Sequence, residues 1–106
     1  GFSLHVNRAD HYISANYHEK ITLDDISTYL GLDRTYFSSL YKKETGKSFT
    51  QSLNDYRIEK SKSLLLDGNS SIMDIALAVG FSNQNYFNSV FKSITGLTPS
   101  EFRNGN

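Results

Sequence analysis

The chain has no cysteine, only one proline, and as many acidic as basic residues, 11 of each. The lack of cysteine excludes disulfides, thiolate nucleophiles and cysteine-ligated zinc, and it fits a cytoplasmic protein. Apolar runs are only a few residues long, whereas a membrane helix needs roughly 20 residues, and no signal-like segment is present. We therefore expect a soluble, cytoplasmic protein with no membrane partner.

The 106 residues are 38% hydrophobic and 21% charged, which is typical of a globular domain rather than a disordered chain. A chain of this length forms one compact unit or two very small ones. It begins at Gly1 without a methionine, so we expect further polypeptide to precede it in the natural protein.

The most informative feature is an internal repeat. Five short matches define it: Asp25-Ile26 with Asp74-Ile75, Gly31 with Gly80, Tyr36-Phe37 with Tyr86-Phe87, Lys42 with Lys92, and Thr45-Gly46 with Thr95-Gly96. The first matches are 49 positions apart (80 − 31) and the later ones 50 (96 − 46), so one residue is inserted after Gly80. Each copy reads as a short amphipathic helix, a glycine turn and a second helix with a basic end. That is the layout of a helix-turn-helix, and two of them point towards DNA.

Capping residues and helical spacing predict an all-helical fold. The first predicted helix runs from about Arg8 to His18. The others lie between these start and stop residues: Thr22 and Gly31, Asp33 and Gly46, Ser48 and Leu66, Ser71 and Gly80, Asn83 and Gly96, with a last turn from Thr98 through Phe102. No segment alternates with the period of a strand.

The second helix of each copy has an apolar and a polar face. The predicted core stripes are Phe37, Leu40 and Tyr41 in the first copy, and Phe87, Val90, Phe91 and Ile94 in the second. The first turns and outer faces carry Arg34, Thr35, Ser38, Ser39 and Lys42 in the first copy and Gln84, Asn85, Asn88, Ser89 and Lys92 in the second. These are the candidate DNA-binding residues, because arginine pairs with guanine, and asparagine or glutamine with adenine.

A net charge of zero counts against nucleic-acid binding until the positions of the charges are considered. From Arg34 to Lys62 there are seven cations and three acids, a local charge of +4 (7 − 3). An ordinary solvated helix surface is the alternative interpretation, and the repeat favours DNA.

The residues from Gly80 to Phe87, followed by Phe91-Lys92, Gly96 to Pro99 and Phe102-Arg103, closely resemble the signature of the AraC/XylS family of bacterial transcription regulators. The resemblance implies seven helices in two helix-turn-helix subdomains, residues 1–47 and 68–106, joined by a long linker helix within 48–67. It also implies recognition helices at about 34–43 and 84–92 that enter successive major grooves. A helix over about 49–66 would be roughly 27 Å long at 1.5 Å per residue, which suits that spacing.

The chain departs from the family pattern on both outer faces. Many members carry arginine or lysine where this chain has Ser39 and Ser89, so strong guanine readout is not expected there. The second recognition helix has Lys92 as its only charge. It therefore either reads bases through its amides or mainly contacts the DNA backbone.

The predicted function is sequence-specific binding of double-stranded DNA as the output domain of a bacterial transcription regulator. An N-terminal sensor, receiver or dimerisation domain is expected outside this chain. The alternative is a helical protein-interaction module that contacts RNA polymerase, with weak or no specific DNA binding. No activated nucleophile, phosphate loop or cofactor motif is visible, so no enzyme activity or cofactor is expected. His11 and His18 lie seven residues, about 10 Å, apart on one helix, too far to share a metal ion.

Overall fold

The computed structural model describes residues 1–105, and every regular element within them is an α-helix. The helices are α1 (Leu4–Asn16), α2 (Leu23–Leu30), α3 (Arg34–Thr45), α4 (Phe49–Asp67), α5 (Ile72–Ala78), α6 (Gln84–Thr95) and α7 (Pro99–Arg103). This confirms the predicted all-helical fold with seven helices. No helix in the described part of the chain has both the length and the apolar character that crossing a membrane requires.

The chain divides into two compact units. Unit 1 contains Gly1–Tyr17 and Ile21–Leu53, and unit 2 contains His18–Lys20 and the chain from Asn54 onward. The boundary between the units therefore falls within α4, so this helix contributes its first residues to unit 1 and the rest to unit 2.

The first helix begins earlier than the sequence predicted. It runs over Leu4–Asn16 rather than from about Arg8 to His18, because Ser3 serves as its N-cap. The Ser3 hydroxyl accepts a hydrogen bond from the Val6 N–H at 3.4 Å, and the Ser3 N–H donates to Glu44 Oε1 at 2.7 Å. The second bond joins residues 41 positions apart, which local sequence signals do not reveal.

Unit 1 is built around an aromatic cluster. Phe37, Tyr41 and Phe49 are almost completely buried, and their ring centroids lie 5.6–5.7 Å apart. The Tyr41 hydroxyl donates to Asp10 Oδ1 at 2.6 Å, so this buried polar group is satisfied and ties α3 to α1. The remaining apolar core residues are Val6, Ala9, Ile13, Ile26, Leu30 and Leu53. This packing fixes which side of α3 faces outward.

Unit 2 has a row of aromatic rings along α6. Successive centroid distances are 5.3 Å from Phe81 to Phe87, 5.8 Å from Phe87 to Phe91 and 5.4 Å from Phe91 to Phe102. The prediction that Ile94 belongs to this core is wrong, because its side chain is 42% exposed. Position 94 matches Glu44 in the first copy (94 − 44 = 50), and the charged residue there marks a position at the rim of the core.

The repeat extends to individual hydrogen bonds. The N–H groups of Leu32 and Phe81 close equivalent turns onto Ser27 O and Ala76 O, both at 2.9 Å. The next helix is then capped by Asp33 in one copy and by Asn83 in the other. The additional residue of the second copy is thus Ser82, in the turn between Phe81 and the cap.

The same correspondence holds where α3 and α6 end. Gly46 and Gly96 have φ values of 80° and 84°, and each donates its N–H to a lysine carbonyl at 2.8 Å. The hydroxyls of Thr45 and Thr95 accept from the N–H two residues ahead at 3.2 and 3.1 Å. Because both ends are closed in the same way, the two polar faces have the same length and the same backbone geometry.

Candidate nucleic-acid interface

The candidate DNA-binding residues differ in their exposure. Seven are exposed: Arg34, Thr35, Ser39 and Lys42 on α3, and Asn85, Ser89 and Lys92 on α6. Three are half-buried: Ser38, Gln84 and Asn88. Within each unit the five candidates lie on one helix, whose opposite side is fixed in the core by buried aromatic rings. Each helix therefore presents a polar face on a rigid base.

On α3, Arg34 occupies the first helical position, directly after the Asp33 cap. Its Nη1 lies 3.4 Å from Asp24 Oδ1 in the first turn of α2, and both side chains are mostly exposed. The guanidinium has five N–H donors, so this contact leaves most of them available.

The other end of α3 carries two further positive charges. Lys42 and Lys43 are exposed in the last turn, and Lys47 follows just after the helix. Cations are favoured at a helix C-terminus by the helix dipole, and lysine acts towards phosphate as a point charge. This end is suited to contacting the DNA backbone, whereas the first turn is suited to contacting bases.

On α6 the amides are unequally placed. Asn85 is exposed and Gln84 is half-buried in the first turn. The Oδ1 atom of Asn88 is shielded from solvent and accepts no hydrogen bond from any residue in 1–105. A bidentate contact with adenine uses both amide atoms. The Asn88 side chain would therefore have to change its conformation to make one.

The two tyrosines that follow the caps also differ. The Tyr86 ring packs edge-on against Phe81 at 5.7 Å, and its hydroxyl accepts from Asn54 Nδ2 at 3.1 Å. The exposed fractions are nonetheless similar, 46% for Tyr86 and 55% for Tyr36 at the matching position of α3. Both tyrosines thus present part of a ring beside the polar face, and that of Tyr86 is held by Phe81 and Asn54.

Two arginines have structural roles that sequence reasoning missed. Arg57, counted above in the basic segment, is only 7% exposed, donates to Glu19 O at 2.7 Å and stacks over the Phe81 ring. Burial lowers the pKa of Arg57, with a smaller opposing effect from Tyr86. Arg103 donates to Leu65 O and Ser70 O at 3.0 and 2.7 Å. Because Arg57 is buried, the exposed positive charge of residues 34–62 is lower than the sequence count of +4 indicated.

The hydroxyls that precede α4 and α7 are engaged in capping. Ser48 Oγ accepts from Gln51 N–H at 3.1 Å, and Thr98 Oγ1 accepts from Glu101 N–H at 3.1 Å. The Thr98 N–H donates back to Glu101 Oε1 at 2.8 Å, and this bond, more than the other contacts, lowers the pKa of Glu101. Each hydroxyl still has its own hydrogen to donate to a phosphate.

Comparison with known proteins shows that the chain is similar to one part of several transcription regulators. A family profile described as a helix-turn-helix domain matches residues 26–105. An uncharacterized helix-turn-helix transcriptional regulator of Pseudoalteromonas carrageenovora is 37% identical over 98 residues, covering 92% of this chain and 58% of that protein. The regulator YtdP of Bacillus subtilis is 34% identical over 93 residues, covering 88% of this chain and 12% of that protein. The chain thus spans only part of the length of these relatives.

Solved structures show the same fold. The C-terminal domain of AraT, a response regulator from Geobacillus stearothermophilus, superposes with a TM-score of 0.93 at 34% identity, covering 99% of this chain and 88% of that one. A transcriptional regulator with an AraC-type DNA-binding domain from Chromobacterium violaceum gives a TM-score of 0.84 at 30% identity, covering 94% and 89%. The chain therefore belongs to the AraC-type helix-turn-helix family, a family of DNA-binding domains of transcription regulators and not an enzyme class.

Proposed function

We propose that this chain is the sequence-specific, double-stranded-DNA-binding output domain of a bacterial transcription regulator and acts in the cytoplasm, where the chromosome lies. The observation that carries the proposal is the duplicated polar face: α3 and α6 are capped, ended and packed alike, and both keep hydrogen-bonding side chains outward. Because the longer relatives extend well beyond the matched region, we propose that a sensor, receiver or dimerisation domain elsewhere in the protein controls it.

The first module, residues 1–47, reads bases through the first turn of α3. N-terminal residues of a recognition helix reach base edges in the major groove. Arg34 and Thr35 occupy that turn, Ser38 and Ser39 follow on the same face, and Lys42 lies nearest the DNA backbone. Arg34 is the main base-reading group because its guanidinium can donate two hydrogen bonds at once, to guanine O6 and N7.

The second module, residues 68–106, uses amides in place of arginine. Gln84 and Asn85 occupy the first turn of α6, followed by Asn88, Ser89 and Lys92. Amides suit adenine, and Asn88 joins this readout only after its side chain rotates, since its Oδ1 is shielded. The linker segment 48–67 keeps the two modules on one polypeptide. The result is recognition of a two-part site in successive major grooves.

Selection from a random DNA pool tests the proposal. The wild type should yield a non-palindromic motif in two parts, one with a guanine preference and one richer in adenine. Gln84→Ala and Asn85→Ala should relax only the adenine-rich part, since neither side chain belongs to α3. Ser63→Ala is a matched control, because Ser63 is exposed on α4 and belongs to neither face.

Two outcomes would overturn the proposal. A single short motif would show that only one module reads DNA. Recovery of no motif, combined with salt-resistant capture of RNA polymerase, would favour the alternative role as a protein-interaction module. Contact with polymerase in addition to a two-part motif would be compatible with the proposal, and such binding would be a second role of the same domain.

A further inference from the structure

The two polar faces differ in one arrangement that extends beyond the recognition helix. In unit 1 the carboxylate of Asp24, in the first turn of α2, lies 3.4 Å from the guanidinium of Arg34 in the first turn of α3. Asp24 is not on the recognition helix and was not among the candidate DNA-binding residues. Its position nevertheless places a negative charge beside the group proposed to read guanine.

The capping of α2 does not need the Asp24 carboxylate. The capping box of α2 is formed by its neighbour: Asp25 Oδ2 accepts from the Thr22 N–H at 2.9 Å, and Thr22 Oγ1 accepts from the Asp25 N–H at 3.1 Å. The Asp24 side chain is 75% exposed and packs into no core. An exposed ion pair of this kind contributes little to folding. The carboxylate is therefore available for a functional role.

The internal repeat provides a comparison within the same molecule. Asp24 matches Met73 (73 − 24 = 49) and Arg34 matches Gln84 (84 − 34 = 50), so both members of the pair are absent from unit 2. The turn between the two helices is nevertheless closed by equivalent hydrogen bonds in both units. The turn geometry thus does not require the pair, and the acid occurs in the copy that has the arginine.

We propose that Asp24 is a specificity-determining residue that positions Arg34 for base reading, an inference that rests on the proposed function. A lone exposed arginine is flexible and pairs with any phosphate. A carboxylate that pairs with one guanidinium nitrogen fixes the orientation of the planar guanidinium and leaves its other N–H groups for guanine. The same negative charge disfavours phosphate in that place. Asp24 therefore increases discrimination between bases and reduces binding to unrelated DNA.

The first experiment replaces Asp24 by Asn in the chain and measures binding by competition. Asp24→Asn should bind random DNA severalfold more tightly and lose roughly tenfold in discrimination at the base pair read by Arg34, within the range of one bidentate contact. Asp67→Asn is the matched control, since it removes the same charge from an exposed position at the end of α4. The control should leave discrimination unchanged.

The second experiment combines variants to separate positioning from simple charge. In an Arg34→Ala background, Asp24→Asn should cause no further loss of discrimination. In unit 2, Gln84→Arg alone should increase affinity for all DNA, whereas Met73→Asp together with Gln84→Arg should add a guanine preference at one position of the second half-site. Melting curves of each variant verify folding.

The outcomes separate this inference from the proposed function. If Asp24→Asn and Asp67→Asn behave alike while the two-part motif persists, the positioning role is wrong and the proposed function stands. If Arg34→Ala changes preference at no base pair although DNA still binds, Arg34 has been assigned wrongly, and the role of Asp24 is wrong with it. If the wild type selects no motif, the proposed function fails.

Discussion

At the scale of single residues, the first and last turns of α3 differ in the chemistry they offer to DNA. Arg34→Ala should weaken binding to the best site by about 1–3 kcal/mol and relax the preference at one base pair. Lys42→Ala should weaken binding to all sequences about equally, because phosphate contacts carry no sequence information. Titration of a panel of single-base operator variants measures both effects. A uniform loss for Arg34→Ala would identify it as a phosphate contact.

Helical periodicity predicted which side chains of α3 and α6 leave the core, because that follows from 3.6 residues per turn alone. It did not predict the burial of Arg57, which depends on Glu19 and Phe81, residues remote from it in the sequence. It also did not predict the shielded Oδ1 of Asn88, because neighbouring packing determines that contact. Residue types and spacing therefore give the direction of a side chain but not its partners.

At the scale of elements, α6 is held by two rings. Phe87 and Phe91 are completely buried, so Phe87→Ala should reduce the free energy of unfolding by about 3–5 kcal/mol and abolish DNA binding by unfolding unit 2. Ile94→Ala is the control, since that side chain is 42% exposed and its loss should cost less than about 1 kcal/mol. Urea denaturation followed by circular dichroism compares the two. Similar losses would contradict the assignment of Ile94 to the rim.

The capping box of α7 gives a dependence on pH. Hydrogen bonding from Thr98 lowers the pKa of Glu101 in the folded state. Its stabilising effect is therefore present at neutral pH and is lost as the pH falls through the folded-state pKa. Glu101→Gln should melt at a lower temperature than the wild type at pH 7, and the difference should shrink in acid. A difference that grew in acid would contradict this sign.

Helix starts were predictable because caps are local. Thr22, Asp33, Asn83 and Thr98 each accept from an N–H three residues ahead, a pattern that is visible in a few letters of sequence. The predicted start of α1 was wrong: Ser3 follows the same local pattern, but its bond from the Val6 N–H is long, at 3.4 Å, and Ser3 is also held by Glu44 of α3, far along the chain. Helix boundaries that are set by short-range hydrogen bonds can thus be predicted from the sequence, whereas boundaries that depend on tertiary contacts are predicted less well.

At the scale of the whole molecule, the duplication is more extensive than the sequence showed. Val6, Ala9 and Ile13 of α1 are buried with the same spacing as Ile58, Ser61 and Leu65 of α4. In this respect α1 and α4 are equivalent, although the matching positions are 52 residues apart (58 − 6) and no residue is identical. Burial was retained while the residues were exchanged for others of similar size, so a search for identical residues does not find this match.

Two DNA-binding units within one chain determine the layout of the DNA site that the chain recognises. A monomer should protect two adjacent major-groove segments about one helical turn apart, without any need for an inverted repeat. The affinity should fall steeply with salt, since each phosphate neutralised by lysine or arginine releases counterions. Footprinting at two salt concentrations measures both properties. Protection of one short segment would mean that only one unit binds.

The ends of the recognition helices have a consequence for mirror-image chemistry. At Gly46 and Gly96 the backbone is in the left-handed region, yet nothing lies within 4 Å of the place where a side-chain carbon would sit. An L side chain at these positions is therefore disfavoured by the backbone conformation and not by lack of space. In a chemically synthesised chain, D-alanine, for which this backbone region is unstrained, should therefore be tolerated better than L-alanine at either position. L-alanine at the same position should cost about 1–2 kcal/mol.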